Sequence, residues 1–502
     1  MIDRLADLRT LAAEIWDLDR ASAILSWDEE TYMPPAGAAA RAEHRATLER
    51  LVHERMVSPE LGGLLDELAP LEAELDPESD EASLIRVLRR DYEKACRVPP
   101  ELQAEIVRAG SLGYRAWLEA RAANDYKLFL PELERSLELK HRYVACFEPR
   151  EDPYDVLLDD YEPGMTTAEV DPVFRQLKTA LVPMLAAVAD AEPIDDSCLH
   201  GRFPVDGQRR FSLWALEQLG YDRESWRLDP TVHPFQTAFS ISDIRLTTRF
   251  HEEHLGGLMA CLHEFGHGLY ERQISPTLER TPLASAVSAA MHESQSRMWE
   301  NLVGRGLPVW RFFYPRLQAE LPAQFGSVPL ETFQRAINRV RPSLVRVEAD
   351  EVTYNLHIVL RYELERELLA GTLEAADLPE AFDAKMHDYL GLDPPDAVHG
   401  VLQDAHWSDS GFGYFPTYAL GNVISVQIYE RARADLGDLD EPFERGDFAP
   451  LREWLREHVH RHGRKFTAAE TIERAAGGPI DSAPYLAYLE GKLGDLFGAA
   501  VT

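Results

Sequence analysis

The sequence predicts a mainly α-helical fold with a small β-sheet, and two observations support that prediction. Apolar residues recur with the 3.6-residue period of an amphipathic helix along most of the 502 residues. Linkers, low-complexity stretches and repeats are absent. We therefore expect residues 1–502 to form a single domain, although the length alone would permit three or four.

Predicted helices dominate the chain from its first residue. A helical pattern opens the chain and returns in five later segments, which gives residues 1–28, 41–65, 131–143, 167–189, 330–338 and 450–460. The predicted strands are residues 209–213 and 245–249. Short acidic stretches at residues 76–80, 190–196 and 435–440 are predicted to be surface loops.

Charge and cysteine content restrict the environment of the protein. A formal net charge of −34 excludes nucleic-acid backbones and anionic membranes as partners, because both would repel the chain. There is no apolar signal core and no run of ~18 apolar residues. The scattered cysteines form no Cys-x-x-Cys pair, which is typical of buried thiols in a reducing compartment (Cys96, Cys146, Cys198 and Cys261). We expect a cytoplasmic protein.

The segment from His263 to His267 (HEFGH) is the most informative motif. On a helix, its two histidines share one face and can bind a single Zn²⁺. Glu264 is offset by about 100° and can accept a proton from a water beside the metal. Gly266 weakens the helix unless close packing or a metal compensates. A buried helix with merely hydrogen-bonded histidines is the alternative, since the segment carries an apolar stripe at Leu258, Leu262, Phe265 and Leu269.

A third metal ligand is expected, because catalytic zinc usually binds three protein groups and keeps one open position. No further histidine follows at the spacing found in metzincins, so a carboxylate from a neighbouring helix is favoured. The alanine-rich segment 285–302 is predicted to be that helix, with His292 and Glu293 at its centre. Glu293 is the predicted ligand, and a solvated surface carboxylate is the alternative.

Several motifs in order give the chain a family resemblance. They are residues 27–34 (WDEETYMP), 233–235 (HPF), 243–247 (DIRLT), 292–295 (HESQ), 346–350 (RVEAD), 400–407 (GVLQDAHW) and 413–416 (GYFP). Over nearly its whole length the chain resembles the carboxypeptidase Taq family of zinc metallocarboxypeptidases. Val345 departs from the usual Ile or Asn of that pattern, and we expect no functional consequence. The resemblance strengthens Glu293 as the third ligand.

The resemblance implies a clamp-like helical zincin peptidase with a deep central cleft and a small sheet near the active site. A helical part of about residues 1–200 would cover the cleft, and the catalytic part would span about residues 201–502. It also implies a homodimer, broad side-chain tolerance, poor cleavage beside proline, and Zn²⁺ that Co²⁺ can replace.

The expected chemistry is removal of C-terminal amino acids by an activated water. Glu264 is the predicted general base. A donor opposite the metal should stabilise the oxyanion, and Tyr414, Tyr418 and His406 are the candidates by analogy with related helical zinc peptidases. Each of these side chains has an alternative structural role as a helix cap or a core aromatic.

A carboxypeptidase also needs a cation for the free carboxylate of its substrate. Arg346 is the first choice and Arg245 the second, although each has an alternative role in an ion pair, with Asp350 and Asp243 respectively. His233 and His406 are predicted to line the subsites. Asp350 or Glu351 is predicted to support the metal-binding histidines.

Two other functions remain open from the sequence. One is an oligoendopeptidase on the same helical scaffold. The other is a peptide-binding protein without catalysis, which the intact set of His263, Glu264, His267 and Glu293 argues against.

Overall fold

The computed structural model describes residues 2–498. The chain up to residue 248 forms nine helices and then three strands, which are α1 Ile2–Thr31, α2 Ala38–Met56, α3 Pro59–Glu74, α4 Asp80–Arg97, α5 Pro100–Ala123, α6 Leu130–Val144, α7 Tyr154–Leu158, α8 Thr167–Ala189, α9 Val205–Leu219, β1 Trp226–Pro230, β2 Gln236–Ser240 and β3 Asp243–Thr248.

The regular structure of the remainder is helical, with loops between the helices. It comprises α10 Gly256–Arg272, α11 Ala289–Arg297, α12 Leu307–Glu320, α13 Pro322–Phe325, α14 Leu330–Ile337, α15 Thr353–Leu369, α16 Leu378–Leu390, α17 Phe415–Leu436, α18 Asp440–Glu444, α19 Ala449–His458, α20 Ala468–Ala476 and α21 Ala483–Phe497. A π-helix, Met298–Val303, continues directly from α11. The mainly helical prediction with a small sheet is confirmed.

The predicted helical segments are confirmed with shifts at their ends. Met1 lies outside the described residues. Segment 41–65 is divided between α2 and α3, because Pro59 occupies the first turn of a new helix. The Ser58 hydroxyl accepts a hydrogen bond from the Leu61 amide at 3.2 Å and fixes that start. Segment 285–302 becomes helical only at Ala289, after the cap at Ser288.

The predicted strand at residues 209–213 is wrong, since this segment lies inside α9. The buried side chains of α9 recur at intervals of three and four residues, as in Gln208, Phe211 and Ala215. A five-residue segment is too short to separate a period of 2 from one of 3.6. The other predicted strand, residues 245–249, corresponds to β3.

The sheet supports α10, the helix that follows it. Its strand order is β1-β3-β2, with β1 parallel and β2 antiparallel to the central β3. Gly268 of α10 lies against the sheet, where an added β-carbon would come within 2.8 Å of Ile244 Cγ2 and 2.5 Å of Trp226. Helix α1 is joined to the edge strand β2, because Arg20 donates to the Ala238 carbonyl at 2.8 Å.

Helix α11 is packed closely between α10 and α17. A β-carbon at Gly266 of α10 would lie 2.4 Å from the carbonyl oxygen of Gln295, and one at Gly421 of α17 would lie 2.6 Å from Cγ of Glu293. Two glycines therefore allow two helix backbones to approach α11 from different sides. The predicted reason for Gly266, close packing, is confirmed.

Within residues 2–498, no helix combines the length and the apolar character that crossing a membrane requires.

Candidate active site

Two neighbouring helices bring three ligand atoms together. His263 and His267 lie one turn apart on α10, and Glu293 lies on α11. The two histidine Nε2 atoms are 3.2 Å apart, and Glu293 Oε2 lies 3.6 Å from Nε2 of His263 and 3.4 Å from Nε2 of His267. The three predicted ligands thus form a group that could hold a metal ion.

The distances between these three donor atoms suit a tetrahedral metal site. Zinc lies about 2.0–2.1 Å from nitrogen and oxygen donors, which places the donors roughly 3.3 Å from one another. The Nδ1 atom of His263 lies 2.9 Å from Glu300 Oε2, so Nδ1 carries the proton and Nε2 presents its lone pair. Without a cation between them, the converging lone pairs of two imidazoles and a carboxylate would repel one another. The residues therefore fit a divalent metal.

Arg297 and Glu300 hold two of these ligands in place. Arg297 Nε donates to Glu293 Oε1 at 2.6 Å, and its Nη1 donates to Glu300 Oε2 at 3.1 Å. Because Glu300 also contacts His263, the four side chains form a continuous hydrogen-bonded chain from one ligand to another. Such partners orient ligands and tune their basicity.

The local charges keep His267 and Glu293 in the form that binds a metal, whereas Glu293 and Glu300 outweigh burial and raise the pKa of His263. Burial, the stacked ring of His292 and the other nearby histidine lower the pKa of His267 to about 3, which leaves its imidazole neutral. Burial raises the pKa of Glu293, but Arg297 and His263 outweigh it and hold that pKa well below its usual range. A neutral imidazole and an ionised carboxylate are what metal coordination requires.

The Glu264 carboxylate is buried beside the metal-binding group. Its side chain is 6% exposed and forms no hydrogen bond or ion pair with any residue in the described range. Burial raises its pKa to about 7. A carboxylate with a pKa near neutrality and no protein partner can accept a proton from water and release it again.

An aromatic cluster lies at the start of α17, next to α11. His406 Nε2 is 3.1 Å from the Tyr418 hydroxyl, and the ring centroids of Tyr414 and Tyr418 are 5.1 Å apart. Burial lowers the pKa of His406 to about 4, so the ring is neutral. The Glu293 charge acts on both tyrosines and, together with burial, raises the pKa of each. The three predicted oxyanion donors are thus brought together.

Arg346 belongs to a buried charge cluster. It donates to Asp404 Oδ1 at 2.9 Å and to the Tyr354 hydroxyl at 2.9 Å, and Arg361 donates to Asp404 Oδ2 at 2.6 Å. Two guanidinium groups share one carboxylate, so the cluster carries a net charge of +1. The Arg346 guanidinium also lies 5.0 Å from the ring centroid of Tyr418.

Arg245 and His233 lie on the sheet side of the molecule. Arg245 forms a bidentate pair with Asp243, at 2.5 and 3.0 Å, as its alternative structural role predicts. Its guanidinium stacks 4.7 Å from the Trp27 ring, which lies in the motif 27–34. His233 is exposed in the loop between β1 and β2, and forms no side-chain hydrogen bond with the described residues.

Two predicted partnerships are wrong. Asp350 is the partner of Arg346 in the alternative ion-pair interpretation and a candidate support for the metal-binding histidines. It instead accepts the backbone amides of Arg341, Val352 and Thr353, because it caps the start of α15. Glu351 pairs with Lys492 instead of supporting a histidine.

The support for His263 comes from Glu300 instead, a residue that the sequence reasoning missed. Glu293, Arg297 and Glu300 have spacings of four and three residues, a same-face helical pattern that could have indicated Glu300 from sequence.

Comparison with known proteins shows which family the chain resembles over its length. A model of the Carboxypeptidase Taq (M32) metallopeptidase family matches residues 7–493. Thermostable carboxypeptidase 1 of Thermus thermophilus is 44% identical over 95% of each chain. Carboxypeptidase 1 of Bacillus subtilis is 36% identical over 98% of this chain and 99% of the relative. The crystal structure of an M32 carboxypeptidase from Deinococcus radiodurans has a TM-score of 0.96 and 40% identity, over 99% of this chain and all of that one.

These matches cover almost the entire chain, and the donor set His263, His267 and Glu293 fits the divalent metal that a metallopeptidase uses. The chain belongs to the carboxypeptidase Taq family of metallopeptidases.

Proposed function

We propose that the chain is a zinc-dependent carboxypeptidase that releases C-terminal amino acids from peptides with broad side-chain tolerance. One observation carries this proposal. The carboxylate of Glu264 is buried, has no partner among the described residues, and interacts electrostatically with His263 and Glu293, two of the three residues whose donor atoms converge. This arrangement supplies both a metal site and a base for water.

His263, His267 and Glu293 would hold the metal. Zn²⁺ is favoured by two imidazoles and a carboxylate at this spacing, and Co²⁺ can replace it. When bound, the metal supplies Lewis acidity, which makes a water molecule acidic near neutral pH and polarises the carbonyl group of the substrate.

Glu264 moves the proton. Its carboxylate accepts a proton from the attacking water and then donates that proton to the leaving amine of the released amino acid. Burial supports this role, because it raises the pKa of Glu264 to about 7 and so makes both transfers feasible near neutral pH.

The hydroxyl groups of Tyr418 and Tyr414 are the proposed donors to the negatively charged oxygen that forms during attack. His406 orients Tyr418 through its Nε2 contact of 3.1 Å. A well-aimed donor in a site with little water contributes about 2.7–4 kcal/mol to transition-state stabilisation.

Arg346 is proposed to attract the C-terminal carboxylate of the substrate, with Arg245 and His233 at more distant subsites. The net positive charge that Arg346, Arg361 and Asp404 share supports this assignment. Arg245 is a weaker candidate for binding the substrate carboxylate, because its pair with Asp243 and its stacking on Trp27 already engage the guanidinium.

We also assign a homodimer in the cytoplasm to this protein, on the basis of the family resemblance and the isolated cysteines. Light scattering at micromolar concentration tests the dimer.

A comparison of substrates tests the carboxypeptidase assignment. The zinc-loaded protein is incubated with a peptide and with its C-terminally amidated twin, and products are identified by mass. We expect stepwise loss of the last residue from the free acid and little from the amide. Internal cleavage of both peptides would instead support the oligoendopeptidase, and hydrolysis of neither would support a binding protein.

A further inference from the structure

Lys140 is a buried cation without a direct partner in the described part of the chain. It lies on α6, is 7% exposed, and forms no hydrogen bond and no ion pair with the described residues. Its ammonium group lies 5.5 Å from the ring centroid of Tyr143. Burial of the side chain lowers the pKa of Lys140.

The other lysines differ from Lys140, because each of them is either paired with a carboxylate or exposed. Five of them form ion pairs within the chain, namely Lys94, Lys178, Lys385, Lys465 and Lys492. The remaining one, Lys127, is exposed. Lys140 alone among the seven combines burial with three ammonium donors that no side chain in residues 2–498 accepts.

The nearest carboxylates are engaged elsewhere. Asp160 accepts from Lys94 and from the Tyr143 hydroxyl, both at 2.7 Å. Glu365 accepts from Tyr154, Trp407 and Gly413 at 2.6–3.0 Å. Asp409 is exposed and accepts the Gly411 amide. The negative charges of these carboxylates stabilise the ammonium group from a longer distance, but none of them accepts a hydrogen bond from it.

Lys140 lines a pocket of about 480 Å³ that also borders the proposed oxyanion donors. The side chains of His406, Tyr414 and Tyr418 line the same pocket, and the negative charge of Glu293 contributes to the raised pKa of both tyrosines. Tyr161 adds a hydroxyl that has no hydrogen-bond partner in the described chain. The pocket is therefore adjacent to the reacting groups and offers unused donors.

We propose that this pocket binds a carboxylate of the substrate's C-terminal residue, with the Lys140 ammonium as its counter-ion. The proposal rests on the carboxypeptidase function proposed above. Arg346 attracts the C-terminal carboxylate through the net charge of its cluster while its donors stay engaged with Asp404, and Arg245 is paired with Asp243, whereas the Lys140 ammonium has donors available to hydrogen-bond a carboxylate directly. The carboxylate is either the α-carboxylate of the peptide or the side chain of a C-terminal Glu or Asp. The opposing interpretation is that Lys140 is a structural charge only.

Lys140→Met tests the proposal, with Lys127→Met as the matched control on an exposed lysine. Methionine keeps most of the length of the side chain but removes the charge. Four peptides that differ only at the C-terminus are assayed: Leu free acid, Leu amide, Glu free acid and Gln free acid. The measured quantities are two ratios of kcat/KM, acid to amide and Glu to Gln, for both variants and for the wild type.

We expect Lys140→Met to lower one of the two ratios by about 10- to 100-fold, the usual effect of losing a hydrogen bond to a charged group. A fall in the acid-to-amide ratio identifies the α-carboxylate, and a fall in the Glu-to-Gln ratio identifies the side chain. Lys127→Met should leave both ratios at the wild-type value.

Equal losses on all four peptides, or no loss on any, would overturn the proposal and leave Lys140 a structural charge. Failure of the proposed function looks different, because the wild type itself would then release no C-terminal residue from any peptide.

Discussion

Arg297 holds Glu293 by the carboxylate oxygen that faces away from the two imidazoles. Its Nε lies 2.6 Å from Oε1, while Oε2 points toward His263 and His267. A metal would therefore meet one oxygen of Glu293, with the second neutralised by the guanidinium. This leaves room for water and substrate, which a bidentate carboxylate would reduce.

Removing that guanidinium should weaken metal binding. We expect Arg297→Met to lower zinc affinity by about 10- to 100-fold, because Glu293 and the Glu300–His263 pair both lose their partner. Competition with a chromophoric chelator measures the affinity. Arg297→Lys, which keeps the charge, should lose less. Equal or tighter binding in Arg297→Met would contradict the positioning role.

Glu264→Gln should abolish proton transfer without emptying the metal site. We expect kcat to fall by about 10²- to 10⁴-fold, since a glutamine cannot accept the proton of the water. Metal content by elemental analysis should stay at the wild-type value, because Glu264 is not among the three converging donors. Unchanged hydrolysis in the variant would rule out Glu264 as the general base.

Chelation should remove both activity and stability. A metal at a hundredfold excess over its Kd adds about 2.7 kcal/mol to the free energy of unfolding. We therefore expect dialysis against a chelator to inactivate the protein and lower its Tm, and Zn²⁺ or Co²⁺ to restore both. A metal-free preparation that stays fully active would refute the metal mechanism.

The buried Glu162 should make stability depend on pH. Its Oε1 accepts the Ala290 amide at the start of α11, and burial raises its pKa to about 8. The folded state favours the protonated form, so this contribution is complete below the unfolded pKa, near 4.5, and is lost as pH rises toward 8.

Relative to Glu162→Gln, which stays neutral, the wild type should therefore lose unfolding free energy as the pH rises from about 5 to about 8. The largest expected slope is about 1.4 kcal/mol per pH unit. Urea unfolding at several pH values checks the difference, and a constant difference would show that Glu162 does not titrate in this range.

Gly266→Ala should disturb the contact between α10 and α11. Its added β-carbon would lie 2.4 Å from the Gln295 carbonyl oxygen, so we expect a loss of about 1–3 kcal/mol in stability and weaker metal binding. Gly63→Ala is the matched control, because no atom lies within 4 Å of its added carbon. It should gain about 0.5–1 kcal/mol through helix propensity. Equal effects of the two changes would show that the close approach does not matter.

Local patterns carry most of what the sequence can predict. Zinc-binding spacing, the apolar stripe of α10 and the helical period are encoded within a few turns of chain, so His263 and His267 can be assigned directly. Glu293 needs the order of several motifs, because nothing local distinguishes it from other helix carboxylates.

Partners distant in sequence are beyond the reach of such patterns. Arg346 pairs with Asp404, 58 positions later, whereas the spacing within its own segment favours Asp350. No sequence pattern distinguishes Lys140 from the other lysines. Its proposed role is inferred from the absence of a partner among the described residues, and only the packed structure reveals that absence. The strand prediction for residues 209–213 is wrong for a different reason, since so few residues cannot fix a period.

The glycine contacts on both sides of α11 have a consequence for ion selectivity. Because Gly266 of α10 lies against the Gln295 backbone of α11, and Gly421 of α17 lies against the side-chain carbons of Glu293, close packing fixes the distance between the two helices that carry the donor side chains. A larger ion such as Ca²⁺, which requires more oxygen ligands at longer distances, is disfavoured by two imidazoles and one carboxylate on closely packed helices. Ion selectivity at this centre therefore depends on the closeness of these two helices as well as on the identity of the donor side chains.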